Sequence, residues 1–186
     1  MQSRTKTRVI TNSVIKGLVA AGAIATAVVA PNSVQLIDKY LQKRDKKSAQ
    51  KTLYYLKYRK LITVKKVGDL NHYKLTSKGF DKYQKILLDE LVIKIPRNWD
   101  EKWRLVMFDI PAGHDKQRKE LLHKLKDLNF YMLQKSAWIH PFDCEKQIGI
   151  LLNILELEQY TSYIEVQKGN FTEHAAVYFH KQGLLM

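Results

Sequence analysis

The chain has 186 residues and a formal net charge of +14, from 32 Lys and Arg against 18 Asp and Glu. This length suits one large domain or two small ones, and the single Cys144 excludes an internal disulfide and a cysteine-rich zinc site. The first 90 residues hold 19 Lys and Arg against 6 Asp and Glu, whereas the remainder holds 13 against 12. This asymmetry predicts a part that binds a polyanion, either nucleic acid or an anionic membrane, joined to a part with another task.

Residues 1–31 have a basic head followed by a run rich in Ala, Val and Gly. The uninterrupted apolar stretch 17–30 has 14 residues, short of the ~20 that a bilayer requires. The segment therefore predicts a helix of small residues that is capped by Asn12 or Ser13 and ends at Pro31. Membrane association through residues 14–30 stays an alternative to the leading interpretation of a cytoplasmic protein.

Residues 32–95 have the element order of a winged helix-turn-helix domain. A first helix is followed by a second that opens at Ser48, and strand composition on both sides of a turn at Gly68-Asp69 predicts a hairpin. Thr76 or Ser77 is placed to cap the helix that follows. With the N-terminal helix, this is the order of three helices, a two-stranded wing and a further helix.

The helix before the wing is normally the one that enters the DNA major groove. Here that helix is predicted over residues 48–60, and lysines of the wing would meet backbone phosphates. A lysine-rich helix face can be merely solvated, but this one coincides with the element order and with the charge asymmetry. We therefore predict double-stranded DNA as the partner. The candidate DNA-binding residues are Lys43, Arg44, Lys46, Lys47, Gln50, Lys51, Lys57, Arg59, Lys60, Lys65 and Lys66.

A hinge at "PRNWDE" predicts a domain boundary near residue 96. From Lys102 the pattern alternates between strand and amphipathic helix in the order β-α-β-β-α-β, which predicts a ferredoxin-like domain over residues 96–186. The stretch "HAAVYFH", residues 174–180, is predicted to add an edge strand or a domain-swapped strand. The predicted fold class is α+β, with the winged helix first and the ferredoxin-like domain second.

The stretch "WRLVMFDIP…RKELLHKLKDLNFYMLQKSAWIHP" resembles the central domain of the PaaX-like transcriptional regulators, the phenylacetate-catabolism repressor family. That domain is itself similar to the small ferredoxin-fold subunit of CRISPR spacer acquisition. The resemblance spans about residues 35–170 and implies a homodimeric regulator that binds a palindromic or inverted-repeat site. It is carried by Phe108-Asp109-Ile110, by Arg118 and Leu125, and by Leu133-Gln134-x-Ser136-x-Trp138.

Asp109, at the end of the first strand of this domain, has two interpretations. In CRISPR subunits of this fold the corresponding acid is the proposed metal ligand, so the resemblance implies Mg²⁺ as cofactor and Asp109 as the catalytic residue of an endonuclease, or else a non-catalytic scaffold. One carboxylate holds Mg²⁺ poorly, so this chemistry would need a second carboxylate across a dimer axis. The structural interpretation is a turn residue that accepts backbone N–H bonds before Pro111, with Asp115 as a helix N-cap and His114 as a loop residue.

Other residues of metal-ligand type do not form a recognisable site. His140, Asp143 and Cys144 lie close together, but their spacing matches no zinc signature. His174 and His180 are interpreted as structural. The sequence has no Gly-rich phosphate loop, nucleophile elbow or paired-carboxylate motif, so we predict a regulator without a cofactor and without enzymatic activity.

Overall fold

The computed structural model describes residues 2–20, 46–67, 70–167 and 169–185. The chain divides into two compact units, residues 1–89 and 90–186, and is of the α+β class. The predicted boundary near residue 96 lies in the segment without helix or strand at the start of the second unit.

The first unit combines three described helices with one β-hairpin. Its elements are α1 (Gln2–Ala20), α2 (Lys46–Tyr58), β1 (Ile62–Val67), β2 (Leu70–Leu75) and α3 (Ser77–Asp89). The strands pair antiparallel, with Ile62 opposite Leu75 and Val67 opposite Leu70. The predicted helix before α2, the turn at Gly68-Asp69 and the end of the N-terminal helix at Pro31 lie outside the described residues.

One hydrophobic core holds this unit together. Its buried side chains come from α1, α2, the hairpin and α3, and they are Val14, Ile15, Leu18, Leu56, Leu61, Ile62, Leu75 and Ile86. Among the described residues, no helix is long and apolar enough to cross a membrane.

Two predicted helix starts in this unit are wrong. The helix α1 begins at Gln2, not after a cap at Asn12 or Ser13, and the Ser13 hydroxyl donates to the Val9 carbonyl one turn back at 2.9 Å. A serine inside a helix often bonds in this way, so its presence alone does not mark an N-terminus. The helix α2 begins at Lys46, two residues before the predicted cap Ser48.

The end of α2 is fixed by a left-handed residue. Lys60 has φ of 56°, its N–H donates to the Lys57 carbonyl, and the Leu61 N–H donates to the Leu56 carbonyl, each at 2.9 Å. These two bonds form a Schellman motif, which ends a helix and turns the chain. The helix predicted to reach Lys60 therefore stops at Tyr58, and buried Leu61 leads directly into β1.

Thr76 joins the end of α2 to the start of α3. Its Oγ1 accepts the Gly79 N–H at 3.0 Å, which confirms it as the N-cap, and donates to the Lys60 carbonyl at 2.7 Å. Its backbone N–H donates to the Leu61 carbonyl at 3.1 Å. One side chain thus satisfies groups at the ends of two helices.

Thr76→Ala should lower the free energy of unfolding of the first unit by about 1–2 kcal/mol, because the cap and the bond to Lys60 are both lost. Urea unfolding followed by far-ultraviolet circular dichroism measures this change. Thr76→Ser keeps the hydroxyl and is the matched control. Equal stability of the alanine and serine variants would contradict the cap.

The second unit has the predicted β-α-β-β-α-β order. Its elements are β3 (Trp103–Phe108), α4 (Asp115–Asp127), β4 (Tyr131–Gln134), β5 (Ala137–His140), α5 (Glu145–Leu155), a 3-10 turn (Glu158–Tyr160), β6 (Thr161–Val166) and α6 (Thr172–Lys181). The sheet order is β4-β5-β3-β6, and every neighbouring pair is antiparallel. This is the ferredoxin-like arrangement. The register between β4 and β5 shifts between Met132 and Gln134, which is a β-bulge.

The prediction of a strand over residues 174–180 is wrong, because these residues belong to α6. Ala175 and Phe179 are four residues apart, so on a helix they share one face, and both are fully buried. They pack with Trp103 and Ile139 of the sheet. A short apolar stretch does not distinguish a buried helix face from a strand.

Candidate nucleic-acid interface

The first unit contains a stretch of sequence that is rich in exposed cations and has no acidic residues. Between Lys46 and Lys66 the sequence contains eight Lys and Arg and no Asp or Glu. Six of these cations have described side chains, and all six are exposed. We call them the basic surface, and they are Lys51, Lys57, Arg59, Lys60, Lys65 and Lys66.

The orientation of α2 follows from Leu56, the one fully buried residue among its described side chains. Leu56 is 0% exposed and lies in the core. Because successive residues of a helix are about 100° apart, Lys51 points away from the core and Lys57 lies on a flank. The guanidinium of Arg59 is held 5.9 Å above the ring of Tyr55, a cation–π contact that orients it at the end of the helix.

The hairpin adds cations beside the helix. Lys65 pairs opposite His72 and Lys66 opposite Asn71, near the turn of the hairpin. Successive side chains of a strand point to opposite faces, so these two lysines extend from both sides of the hairpin tip. A positively charged helix followed by a positively charged hairpin suits a polyanion with a groove.

The structure describes the side chains of some, but not all, of the predicted DNA-binding residues. Gln50 and the six residues of the basic surface are exposed, as binding requires. Lys46 and Lys47 lie in the first turn of α2, but their side chains are outside the described part of the chain, as are Lys43 and Arg44 entirely.

Sequence reasoning missed two tyrosines on the same helix. Tyr54 is 74% exposed and Tyr58 is 75% exposed. Both lie nearly opposite Leu56, at the centre of the outward face of α2. The signal was available in "TLYYLKY", because Leu53 and Leu56 mark the inward face and place these two rings outward.

Asp109 lies in an open cleft at one edge of the second unit. Its backbone N–H donates to the Tyr160 carbonyl at 2.9 Å, and its side chain is exposed. The predicted acceptance of backbone N–H bonds before Pro111 is not seen among the described residues. The cleft also contains two cations and several hydroxyl groups, and its other lining residues are Met107, Phe108, Ile110, Arg118, Lys135, Ser136, Gln159, Tyr160, Thr161 and Ser162.

The cleft of a single chain does not fit Mg²⁺. Its one carboxylate is Asp109, whereas the ion prefers about six oxygen ligands and usually one or two carboxylates. Nowhere in the described part of the chain do three His, Cys, Asp or Glu side chains form a group that could hold a metal. Asp115 is not the N-cap of α4, because the helix begins with Asp115 itself and His114 precedes it, without a capping side-chain bond.

His140, Asp143 and Cys144 serve the packing of the second unit. The imidazole of His140 is buried among aromatic rings, and this burial lowers its pKa to about 4. Burial also raises the pKa of the Cys144 thiol to about 12. Asp143 accepts the Glu145 N–H at 3.2 Å at the start of α5. The three residues therefore have separate structural roles.

His174 and His180 both lie on α6 and are exposed. Their placement in a strand was wrong, as described for residues 174–180. Their interpretation as structural residues stays a prediction.

Fold and surface together define an α+β protein with a basic helix-and-hairpin unit and a ferredoxin-like unit. Residues 96–178 match the family model of the PaaX protein central Cas2-like domain. This confirms the resemblance found in the sequence. The second unit therefore contains a PaaX central Cas2-like domain.

A solved structure, titled "Uncharacterized protein Rv0674 from Mycobacterium tuberculosis", is similar with 14% sequence identity over 95% of this chain and 68% of that chain, at a TM-score of 0.36. No curated protein matches the chain.

Proposed function

We propose that this protein is a dimeric, cytoplasmic transcriptional regulator of the PaaX type that binds double-stranded DNA through the basic surface. The observation that carries the proposal is the acid-free run from Lys46 to Lys66, which places six exposed cations on α2, on the turn that follows it and on the hairpin. The PaaX central Cas2-like domain in the second unit supports the regulatory class.

The geometry of the first unit suits duplex DNA. The major groove, about 12 Å wide, admits an α-helix, and the described residues of α2 on the side opposite Leu56, which are Lys51, Tyr54 and Tyr58, are exposed. With α2 in the groove, Lys57 and Arg59 would contact phosphates beside it, and Lys65 and Lys66 of the hairpin would contact the neighbouring backbone as a wing does.

The sheet of the second unit supports dimerisation. Met107 of β3 and Ile164 of β6 lie on the same face of the sheet, and they are 43% and 41% exposed. Burying such side chains against a second copy is favourable. A two-fold dimer would present two α2 helices to an inverted-repeat site.

Neutralising the basic surface should weaken DNA binding and its salt dependence together. For a variant with Lys57, Arg59, Lys65 and Lys66 all changed to Gln, we expect the slope of log K against log salt to shrink by about 3–4, since each phosphate contact contributes about 0.9. Fluorescence anisotropy with labelled duplex DNA at several salt concentrations measures this slope.

The matched control changes four exposed lysines of the second unit to Gln: Lys116, Lys119, Lys126 and Lys146. Its slope should stay close to that of the wild type. An equal loss in both variants would mean that the net charge, and not the basic surface, attracts DNA. Absence of duplex binding by the wild type would refute the proposed function.

A second candidate function rests on the exposed Asp109 carboxylate in its polar cleft. A dimer that brings two copies of Asp109 together could hold Mg²⁺ and act as a nuclease, or serve as a CRISPR-type scaffold without cleavage. Incubation of duplex DNA with and without Mg²⁺, for wild type and Asp109→Ala, distinguishes these functions. Cleavage that requires both Mg²⁺ and Asp109 would replace the regulator, whereas intact, retarded DNA in every lane supports it.

A further inference from the structure

We infer that Tyr54 and Tyr58 are the residues of α2 that contact base edges and thereby determine which DNA sequence is bound. This inference rests on the proposed function, because it assumes that α2 enters the major groove. It assigns the specificity to two aromatic side chains, and the cations beside them retain the phosphate contacts.

The position of the two rings on the helix carries the inference. Measured around the axis from buried Leu56, the rings of Tyr54 and Tyr58 lie about 160° away on either side, so the two flank the line opposite the core. Residues on this line reach deepest into a groove that receives the helix. Lys57 and Tyr55 lie about 100° from Leu56, on the flanks, where the groove walls and their phosphates would be.

The high exposure of the two rings indicates that they bind a partner and do not pack within the first unit. They are three-quarters exposed, more than Tyr55 at 41%. They are four residues apart, about one helical turn, and form one apolar strip in the middle of a cationic helix. Tyrosine rings usually bury much of their surface, so two adjacent exposed rings on one helix indicate a binding surface.

The surrounding charge identifies the partner as an anion. The helix α2 has no Asp or Glu, and the exposed cations Lys51, Lys57, Arg59 and Lys60 lie on this helix and directly after it. A neutral protein surface would leave these cations without counter-charges, whereas duplex DNA supplies phosphates on both sides of the groove and base edges between them.

The phenol side chain can read a base pair in two ways. Its ring makes apolar contact with the thymine C5-methyl group, and its hydroxyl donates to the N7, O6 or O4 acceptors of the major groove or accepts from an exocyclic amine. A lysine at the same position would offer only donors. We therefore expect the preferred site to contain thymine at the positions under the two rings.

The test begins with selection of duplexes from a random pool by the wild-type protein. Thymines of the selected site are then replaced one at a time by deoxyuridine, which lacks only the methyl group. At one or more positions, the wild type should bind roughly 3- to 10-fold more weakly, the size of effect expected when one buried methyl group is lost. The double variant Tyr54→Ala, Tyr58→Ala should bind thymine and deoxyuridine sites equally.

Two further variants separate the parts of the side chain and test for unrelated damage. Tyr54→Phe with Tyr58→Phe keeps the rings, so its response to deoxyuridine should remain. Phe80→Ala removes a partly exposed ring of α3 outside the basic surface, and its site preference should equal that of the wild type. Circular dichroism checks that every variant is folded.

The outcomes distinguish this inference from the proposed function. If the wild type binds duplex DNA and the Tyr54→Ala, Tyr58→Ala variant selects the same site with the same preference, the inference is wrong and the proposed function stands. DNA binding without any sequence preference has the same meaning. If the wild type binds no duplex DNA, or binds only anionic vesicles, both are wrong.

Discussion

Gly79→Ala should destabilise the first unit by about 3 kcal/mol, at the upper end of what overpacking costs. A Cβ at position 79 would lie 2.0 Å from the Leu61 carbonyl oxygen and 2.8 Å from a methyl group of Leu75. The Leu61 carbonyl is part of the backbone and already accepts the Thr76 N–H at 3.1 Å, so it cannot move away without breaking the junction between α2 and α3.

The consequence for function follows from the same contact. The junction held by Gly79 joins the start of α3 to the end of α2, which carries part of the basic surface, so its disruption should also weaken DNA binding. Since domains are stable by only about 5–15 kcal/mol, a loss of about 3 kcal/mol removes a large share of this margin and raises the unfolded fraction of the first unit roughly 100-fold.

Two measurements locate the effect. Far-ultraviolet circular dichroism should show an earlier urea transition, whereas tryptophan fluorescence should still report a cooperative transition of the second unit, because Trp99, Trp103 and Trp138 all lie there. Gly17→Ala is the matched control: a Cβ there meets nothing within 4 Å, so alanine should stabilise α1 by up to about 1 kcal/mol. Equal effects of the two substitutions would contradict the close approach at Gly79.

The stability of the second unit should fall by about 3 kcal/mol between pH 7.5 and pH 4 because of His140 alone. The imidazole is 2% exposed, its Nδ1 accepts the Phe142 N–H at 3.1 Å, and the rings of Phe130 and Phe179 pack against it. Burial, together with the charge of Arg104, lowers its pKa from 6.5 to about 4. A protonated Nδ1 could no longer accept the Phe142 N–H.

The sign of the effect follows from where the proton binds. Above pH 6.5 the imidazole is neutral in both states and the full stability is present. As the pH falls through 6.5 towards 4, the unfolded chain binds a proton that the folded chain does not, so the unfolded state is favoured. A pKa difference of about 2.5 corresponds to about 3 kcal/mol, at 1.36 kcal/mol for each unit.

Urea unfolding followed by tryptophan fluorescence at a series of pH values measures this loss. The variant His140→Asn keeps an acceptor near the Nδ1 position but cannot be protonated, so its stability should be lower at pH 7.5 and should change less between pH 6.5 and 4. His123→Asn, at an exposed histidine of α4, should retain the wild-type pH dependence. The same pH dependence in His140→Asn and wild type would exclude His140 as the cause.

Much of the fold could be predicted from the sequence because local patterns and tertiary contacts agree. The alternation of apolar strand and amphipathic helix after Lys102 predicted β-α-β-β-α-β, and the sheet order of the second unit follows from that order. In the first unit, strand composition on both sides of Gly68-Asp69 predicted the hairpin, and Thr76 was one of two predicted caps. The charge asymmetry, which a sequence determines completely, indicated the half that carries the basic surface.

Tertiary structure decided the cases in which one short sequence pattern is compatible with two local structures. Ser13 has the chemistry of a cap but lies inside α1, because Val14, Ile15 and Leu18 are buried in the core and favour helix through this segment. Residues 174–180 are apolar enough for a strand, but Ala175 and Phe179 find their partners on the sheet as one face of a helix.

The candidate sites likewise combine features that the sequence shows with features that only packing decides. The cations of the basic surface were visible as residue types, whereas the outward position of Tyr54 and Tyr58 depends on the burial of Leu56. Asp109 was correctly placed at a strand end, but its cleft is formed by residues from α4, the β4–β5 turn and β6, which are distant in sequence. Composition and periodicity determine which elements form, and packing determines which side chains remain available for binding, since burial depends on contacts between segments that no local pattern contains.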